Sequence, residues 1–384
     1  KSKFENTSKE KICGFVGDLI NMEASYIFKE FFERTLDIKN FECRPDNRFL
    51  DNTKRENYLF NSTINGIEES DLIFLIGANP RYEATMLNAR IRKSYVNNNT
   101  KIISLNEVGD ITYPYENLDG TLKTLKDIFE GKHEISNQII NAKKPLIIIG
   151  ESLLNIKSSK YFFNLIKEFL IKNNKINAEF NSLNLLSCDA STVGNYDIGL
   201  INQEKNLLQD LKDHKFEILF LVGQDNLNFD KKDEFIIYQG SHGDRGAEIA
   251  DIILPSSAYT EQDGYFTNLE GRIQKASKAS YPPGEAKEDW QIINELSEYI
   301  SKRKLFNDKD ELESSMFNHL NLQKEKQNNS IEKNKSHDLG EFFNENLDVV
   351  LKAYYFSNVI ARSSKTMVEC NNSKLNFKST GTEG

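Results

Sequence analysis

The sequence predicts an open, doubly wound α/β protein with largely parallel sheets, flanking helices and an extended C-terminal segment. Three observations predict it. Three runs share one shape, an apolar strand, a glycine and a polar loop: "DLIFLIGANPR" (71–81), "KKPLIIIGESL" (143–153) and "FEILFLVGQDN" (216–226). Each run is continuously apolar, which marks strands buried on both faces of a parallel sheet. Helical periodicity at 84–94, 160–172 and 204–212 then gives the strand–helix alternation of an α/β architecture.

Taken in order, "KICGFVGDLINMEASYIFKEFFERT" (11–35) is a fourth run of this kind, though less apolar. In the next run, Asn79-Pro80 starts a turn into a helix that carries Arg81, Arg90 and Arg92. A single glycine after a strand is weak evidence for phosphate, and the chain has no G-x-G-x-x-G, G-x-x-x-x-G-K-[ST] or G-x-S-x-G motif. The three arginines suit anions, acids of a neighbouring chain, or the internal junction equally well. A composition shift at 131–144 places a boundary there, giving a first α/β unit over 1–140 and a second over 141–300.

The densest segment spans 240–299, and in its first part, "GSHGDRGAEIADIILPSSAYTEQDGYFTNLEGRIQ" (240–274), a glycine loop leads to a short strand stopped by Pro255. Ser241, His242 and Asp244 are residue types of a catalytic triad. Neighbours on one loop do not readily orient as nucleophile, base and orienter, so a structural or interface role is read for Asp244. His133, His214, His319 and His337 are scattered and give His242 no metal-binding company. Glu270 and Arg272, two apart, share one face if the segment is extended, which suits a buried, structural ion pair with other groups. "PPGEAKEDW" then leads into a helix from about 285. Residues 301–338 turn charged and Asn/Gln-rich, which reads as a mobile polar linker or extension. Residues 339–384 regain apolar periodicity and are expected to dock.

Composition excludes several classes. The chain of 384 residues carries 49 basic and 58 acidic side chains, and its net charge of −9 opposes a nucleic-acid surface. Its longest apolar runs are strand-sized, far short of the roughly 20 residues that span a bilayer, so no direct membrane span is expected. Cys13, Cys43, Cys188 and Cys370 form no C-x-x-C pair, which reads as reduced, mostly buried thiols rather than zinc or cluster ligands.

Four segments, in order, carry a resemblance. "LIGANPRYEATMLNARIRKSY", "HGDRGAEIADIILPSSAYTEQDGYFTNLEGRIQ", "YPPGEAKEDWQIINELSEY" and "NVIARSSKTMVEC" resemble the large iron–sulfur subunit of respiratory complex I, NADH:ubiquinone oxidoreductase, over about 11–300 and 340–375. The resemblance implies a molybdopterin oxidoreductase-like fold that has lost its molybdenum. It also implies a place in the peripheral arm, on the matrix side of the mitochondrial inner membrane. The Cys-rich motifs that hold the family's iron–sulfur clusters are not in this sequence. The chain therefore resembles the C-terminal part of that subunit, with no cofactor of its own. The clusters are expected in the N-terminal part, its partner alongside other peripheral-arm subunits.

On this reading Asn79, Arg81, Arg90, Arg92, Asp244, Glu270 and Arg272 are structural or interface residues and none is catalytic. Two rival readings remain. One is a fragment of an active molybdopterin- or nucleotide-dependent oxidoreductase, and the other is a free-standing nucleotide-binding module.

Overall fold

A computed structural model describes residues 1–46, 48–329, 339–351 and 353–376. Two five-stranded sheets, parallel throughout, carry the chain. Sheet one has the order β10-β9-β8-β1-β2, from β1 (Ile12–Val16), β2 (Phe41–Glu42), β8 (Ile218–Val222), β9 (Phe235–Gly240) and β10 (Ile252–Pro255). Sheet two has the order β5-β4-β3-β6-β7. Its strands are β3 (Leu72–Ile76), β4 (Lys101–Ser104), β5 (Glu116–Asn117), β6 (Pro145–Gly150) and β7 (Leu183–Leu186). A separate antiparallel hairpin joins β11 (Gly264–Thr267) to β12 (Ile273–Ala276).

The apolar runs are the central strands, and the pleat sorts their residues into two cores per sheet. Leu72, Phe74 and Ile76 join Ile147 and Ile149 on one face of sheet two, while Ile73 and Leu75 join Leu146 and Ile148 on the other. In sheet one, Ile12, Val16, Phe220 and Val222 face one side, and Cys13, Phe15, Leu219 and Leu221 the other. Burial on both faces is why these strands do not alternate. The less apolar look of the first run also has a cause. A side chain at Gly14 would meet the Phe28 and Phe32 rings within about 2.5 Å, so the glycine makes room for the helix Met22–Glu30 and the turn after it. Asn21 caps that helix, accepting from the Ala24 N–H at 2.9 Å.

Three expectations are corrected. The boundary at 140/141 cuts through sheet two, because β3 pairs with β6 from Leu72↔Pro145 to Ile76↔Ile149. The units are nested, with the strands of 72–186 forming sheet two and the segments on either side forming sheet one. Apolar runs of one shape announce central strands but do not encode which of them pair.

The stretch from 301 is not a linker where it is described. Lys309–Asn329 is a helix whose Leu312, Met316 and Leu320 are buried in the core of sheet one. Those positions form a one-sided i, i+4, i+8 stripe that the surrounding charges hide; positions 330–338 of the expected linker lie outside the described residues.

The helix placed from about 285 is Asp289–Ser301, capped by Glu288 in a reciprocal pair with Gln291. Residues before it are held extended, with Ser257 donating its N–H to the Lys287 carbonyl at 2.9 Å.

Candidate functional site

Each sheet reverses its strand order once, between β8 and β1 in sheet one and between β3 and β6 in sheet two. In doubly wound folds, ligands bind in the crevice outside the carboxyl ends of the strands at such a point. Both crevices are built alike, from two glycines on neighbouring strands. A Cβ on Gly150 would lie 2.1 Å from the Gly77 carbonyl oxygen, and one on Gly17 would lie 1.7 Å from that of Gly223. Gly77 and Gly223 have φ of 61° and 58°, a region that suits glycine. The glycine ending each apolar run is thus a backbone-approach residue.

The C-terminal segment runs over both crevices. Leu347 is buried above Gly77, its Cδ2 3.5 Å from where a Gly77 Cβ would stand. Asn346 bridges to Thr121, and Val350 donates its N–H to Ser152 Oγ at 3.0 Å. Further along, Val359, Ile360 and Arg362 line the crevice of sheet one, where a cavity of about 30 Å³ is left. Arg362 pairs with Asp244, which also caps the short helix after it by accepting from the Arg245 N–H.

The floor of that cavity is polar and acidic. Asp225 accepts from the Gly246 N–H and from Tyr238 Oη, at 3.0 and 3.1 Å, and burial raises its pKa. Asp289, also raised by burial, accepts from the side-chain amides of Gln239 and Gln262 at 2.8 and 2.9 Å. Ser257 Oγ and Gln262 Oε1 are buried with no hydrogen-bond partner among the described residues.

A second cavity, of about 730 Å³, lies beside the crevice of sheet two. Tyr82, Glu83, Met86, Cys188 and Asp189 line it, with Tyr355 and Met367 from the C-terminal segment. Glu83 and Asp189 face it, and among the described residues no lysine, arginine or histidine lines it.

Most of the predicted site residues make contacts within the chain. Asn79 caps the helix Pro80–Glu83 and donates from Nδ2 to the Val108 carbonyl at 2.9 Å. Arg81 pairs with Asp110, Arg90 pairs with Glu68, and Arg92 donates to the Thr112 carbonyl. All three arginines thus serve the junction inside the chain.

The Glu270–Arg272 pair is a correction. Among the described residues neither side chain makes an ion pair, with the other or with any other group. The segment is not extended there but turns at Gly271, with the Asn268 N–H on the Arg272 carbonyl at 2.9 Å. Glu270 instead accepts from the Ile64 N–H at 2.9 Å, and Arg272 is exposed. The sequence reading missed pairs that lie elsewhere, among them half-buried Arg55 with buried Asp197. Their separation in the chain carried no local signal. No disulfide joins the four cysteines, of which Cys13 is buried and the other three are half-buried. Ser241 and His242 touch each other, Oγ to Nδ1 at 2.9 Å, but Asp244 is engaged with Arg362 rather than with the imidazole.

Residues 1–299 match the family described as Molybdopterin oxidoreductase, and residues 311–370 match the family of the C-terminal region of the NADH-ubiquinone oxidoreductase G subunit.

The chain belongs to the molybdopterin oxidoreductase family.

Among its relatives is the NADH-ubiquinone oxidoreductase 75 kDa subunit of Reclinomonas americana, 36% identical over 96% of this chain and 56% of that protein. The NADH-ubiquinone oxidoreductase 78 kDa mitochondrial subunit of Candida albicans is 40% identical over 82% of this chain and 45% of its own length. Its counterpart of the same name in Neurospora crassa is 35% identical over 86% and 46%. This chain therefore spans about half the length of these relatives. A solved chain of the formyltransferase/hydrolase complex of Methylorubrum extorquens, in complex with methylofuran, shares the fold. It aligns with a TM-score of 0.54 at 11% identity, covering 78% of this chain and 94% of that one.

A pterin dinucleotide does not fit these two cavities. Drug-sized ligands need cavities of roughly 300–1,000 Å³, and the crevice of sheet one keeps about 30 Å³. The cavity beside sheet two faces a ligand with carboxylates, and its described lining offers pyrophosphate no cation. Among the described residues, no group of three or more His, Cys, Asp or Glu is placed to hold a metal ion.

Proposed function

We propose that this chain is a redox-inactive scaffold of the peripheral, matrix-side arm of complex I at the mitochondrial inner membrane. It holds in place the iron–sulfur path that carries electrons from NADH toward ubiquinone. The observation that carries this reading lies at the crevices: Leu347 is buried over Gly77, and Val359, Ile360 and Arg362 line the crevice of sheet one, where about 30 Å³ is left. Its relatives are named as NADH-ubiquinone oxidoreductase subunits, at 35–40% identity. Its partners on this reading are the cluster-bearing N-terminal part of the same subunit and other subunits of the arm. Among the described residues no helix is long and apolar enough to cross a membrane, so attachment to the membrane runs through those partners.

One surface supports a polypeptide partner. The edge strand β10 leaves Ile252 and Ile253 about half exposed, at 43% and 52%. Neighbouring residues of a strand point to opposite faces, so neither face of this edge is fully covered, and bare apolar edges favour association.

Elemental analysis of the purified chain tests the reading. The expected result is no stoichiometric iron, molybdenum or zinc. One metal per chain, or a bound pterin, would favour the active-oxidoreductase alternative instead.

A further inference from the structure

We infer that the C-terminal segment is a cis-acting plug: Leu347, in stretch 342–350, and Arg362, in stretch 359–363, occupy the two ligand crevices and take over the structural role of a bound cofactor. The inference rests on the fold and on contacts within the chain, and stands whether or not the chain is part of complex I.

Two separate anchors carry it. The first lies on sheet two. Phe342 packs against Tyr161 and Phe162, with ring centroids 5.5 and 5.9 Å apart. Phe343 receives a hydrogen bond from Ser158 Oγ on its carbonyl and donates its N–H to the same oxygen, at 3.1 and 2.9 Å. Leu347 then sits above Gly77, and Val350 is tied to Ser152 just after β6. An apolar side chain in that place needs no counter-charge.

The second anchor lies on sheet one and is matched in charge. Asp18, Asp225 and Asp289 line its crevice, and among the described residues the one cation lining it is Arg362, brought by the segment itself. Arg362 pairs with Asp244 and eases the ionisation of Asp225. An anionic dinucleotide would face the same carboxylates without that charge to offset them. The glycine pairs that permit close backbone approach thus remain, while the occupant has changed from a ligand to the chain.

The two anchors predict separable local openings. Hydrogen–deuterium exchange on the assembled protein reads them. Leu347→Ala is expected to speed exchange of the amides at 77–79 and 151–153 on the order of tenfold, leaving 223–226 unchanged. Arg362→Ala is expected to do the reverse. A disulfide between Ser152→Cys and Val350→Cys, oxidised, should restore protection to the Leu347→Ala protein. Should Leu347→Ala fail to assemble, Leu347→Met with graded temperature gives the same readout. Unchanged protection at both crevices in both variants would overturn the inference. So would a disulfide-locked protein that stays as open as Leu347→Ala alone.

Discussion

Arg55 and Asp197, 142 positions apart, meet through two parallel hydrogen bonds, Nε to Oδ1 at 2.8 Å and Nη2 to Oδ2 at 2.7 Å. Tyr58 Oη donates to the same carboxylate at 2.9 Å, and Arg55 also donates to the Gly271 carbonyl at 2.7 Å. One guanidinium therefore ties the loop after β2, the helix Thr192–Ile198 and the β11–β12 hairpin together. Burial works to lower the Arg55 pKa, and the Asp197 carboxylate beside it outweighs that and raises it.

Removing one partner of such a pair leaves the other charge buried and unmatched. Arg55→Ala should lower stability by about 3–5 kcal/mol, measured by denaturant unfolding of the full chain. Arg272→Ala, at an exposed turn position, should leave stability unchanged. The opposite order of the two variants would restore the Glu270–Arg272 pair as the structural one.

Glu23 is fully buried, with Oε2 accepting from the Tyr265 N–H at 2.9 Å and Oε1 without a partner among the described residues. Burial pushes its pKa up to about 7, with Lys309 opposing and Glu313 adding to the rise. The folded state then binds a proton that the unfolded state has released between pH 4.5 and about 7. Stability is therefore highest below that window and falls as pH rises through it. Glu23→Gln should be close to neutral at about pH 4 and stabilising by roughly 1–3 kcal/mol at about pH 8. Equal effects of the substitution at both pH values would contradict this.

The helix Lys309–Asn329 should be protected, not frayed, over its buried stripe. Amides from Leu312 to Leu320 are expected to exchange slowly, and Met316→Ala to cost about 2–5 kcal/mol. Rapid proteolysis between these residues would return the segment to the linker that its composition suggests.

The exposed edge gives a prediction about assembly alone. Ile253→Lys should leave unfolding of the isolated chain unchanged, because the side chain is half exposed and packs on little. It should reduce recovery of the chain with its partners. Unchanged recovery would mean that β10 faces solvent in the assembly.

The architecture was legible where burial writes directly into composition. "LIFLIG", "PLIIIG" and "ILFLVG" are all central strands, since a strand covered on both faces must be apolar throughout. Pairing was not legible: β1 lies beside β8, far along the chain, and nothing local in "KICGFVG" names that neighbour. The ion pairs failed for a similar reason. Glu270 and Arg272 offered a short-range pattern that a turn at Gly271 undoes, whereas Arg55 and Asp197 meet only once the chain has folded. Helical stripes are legible when polar residues are sparse. In 309–329 three buried apolar positions among many polar residues were enough for packing and too few for composition to show. Leu347 and Arg362 were visible only as part of a segment that should dock, because the glycine pairs that receive them come from distant strands.

The composition of the native assembly tests the central claim most directly. The tagged chain, isolated from its own cells under mild conditions and analysed by mass spectrometry, should come with a Cys-rich iron–sulfur protein and further peripheral-arm subunits of complex I. Recovery as a stable, soluble monomer with no iron–sulfur partner would contradict the scaffold account.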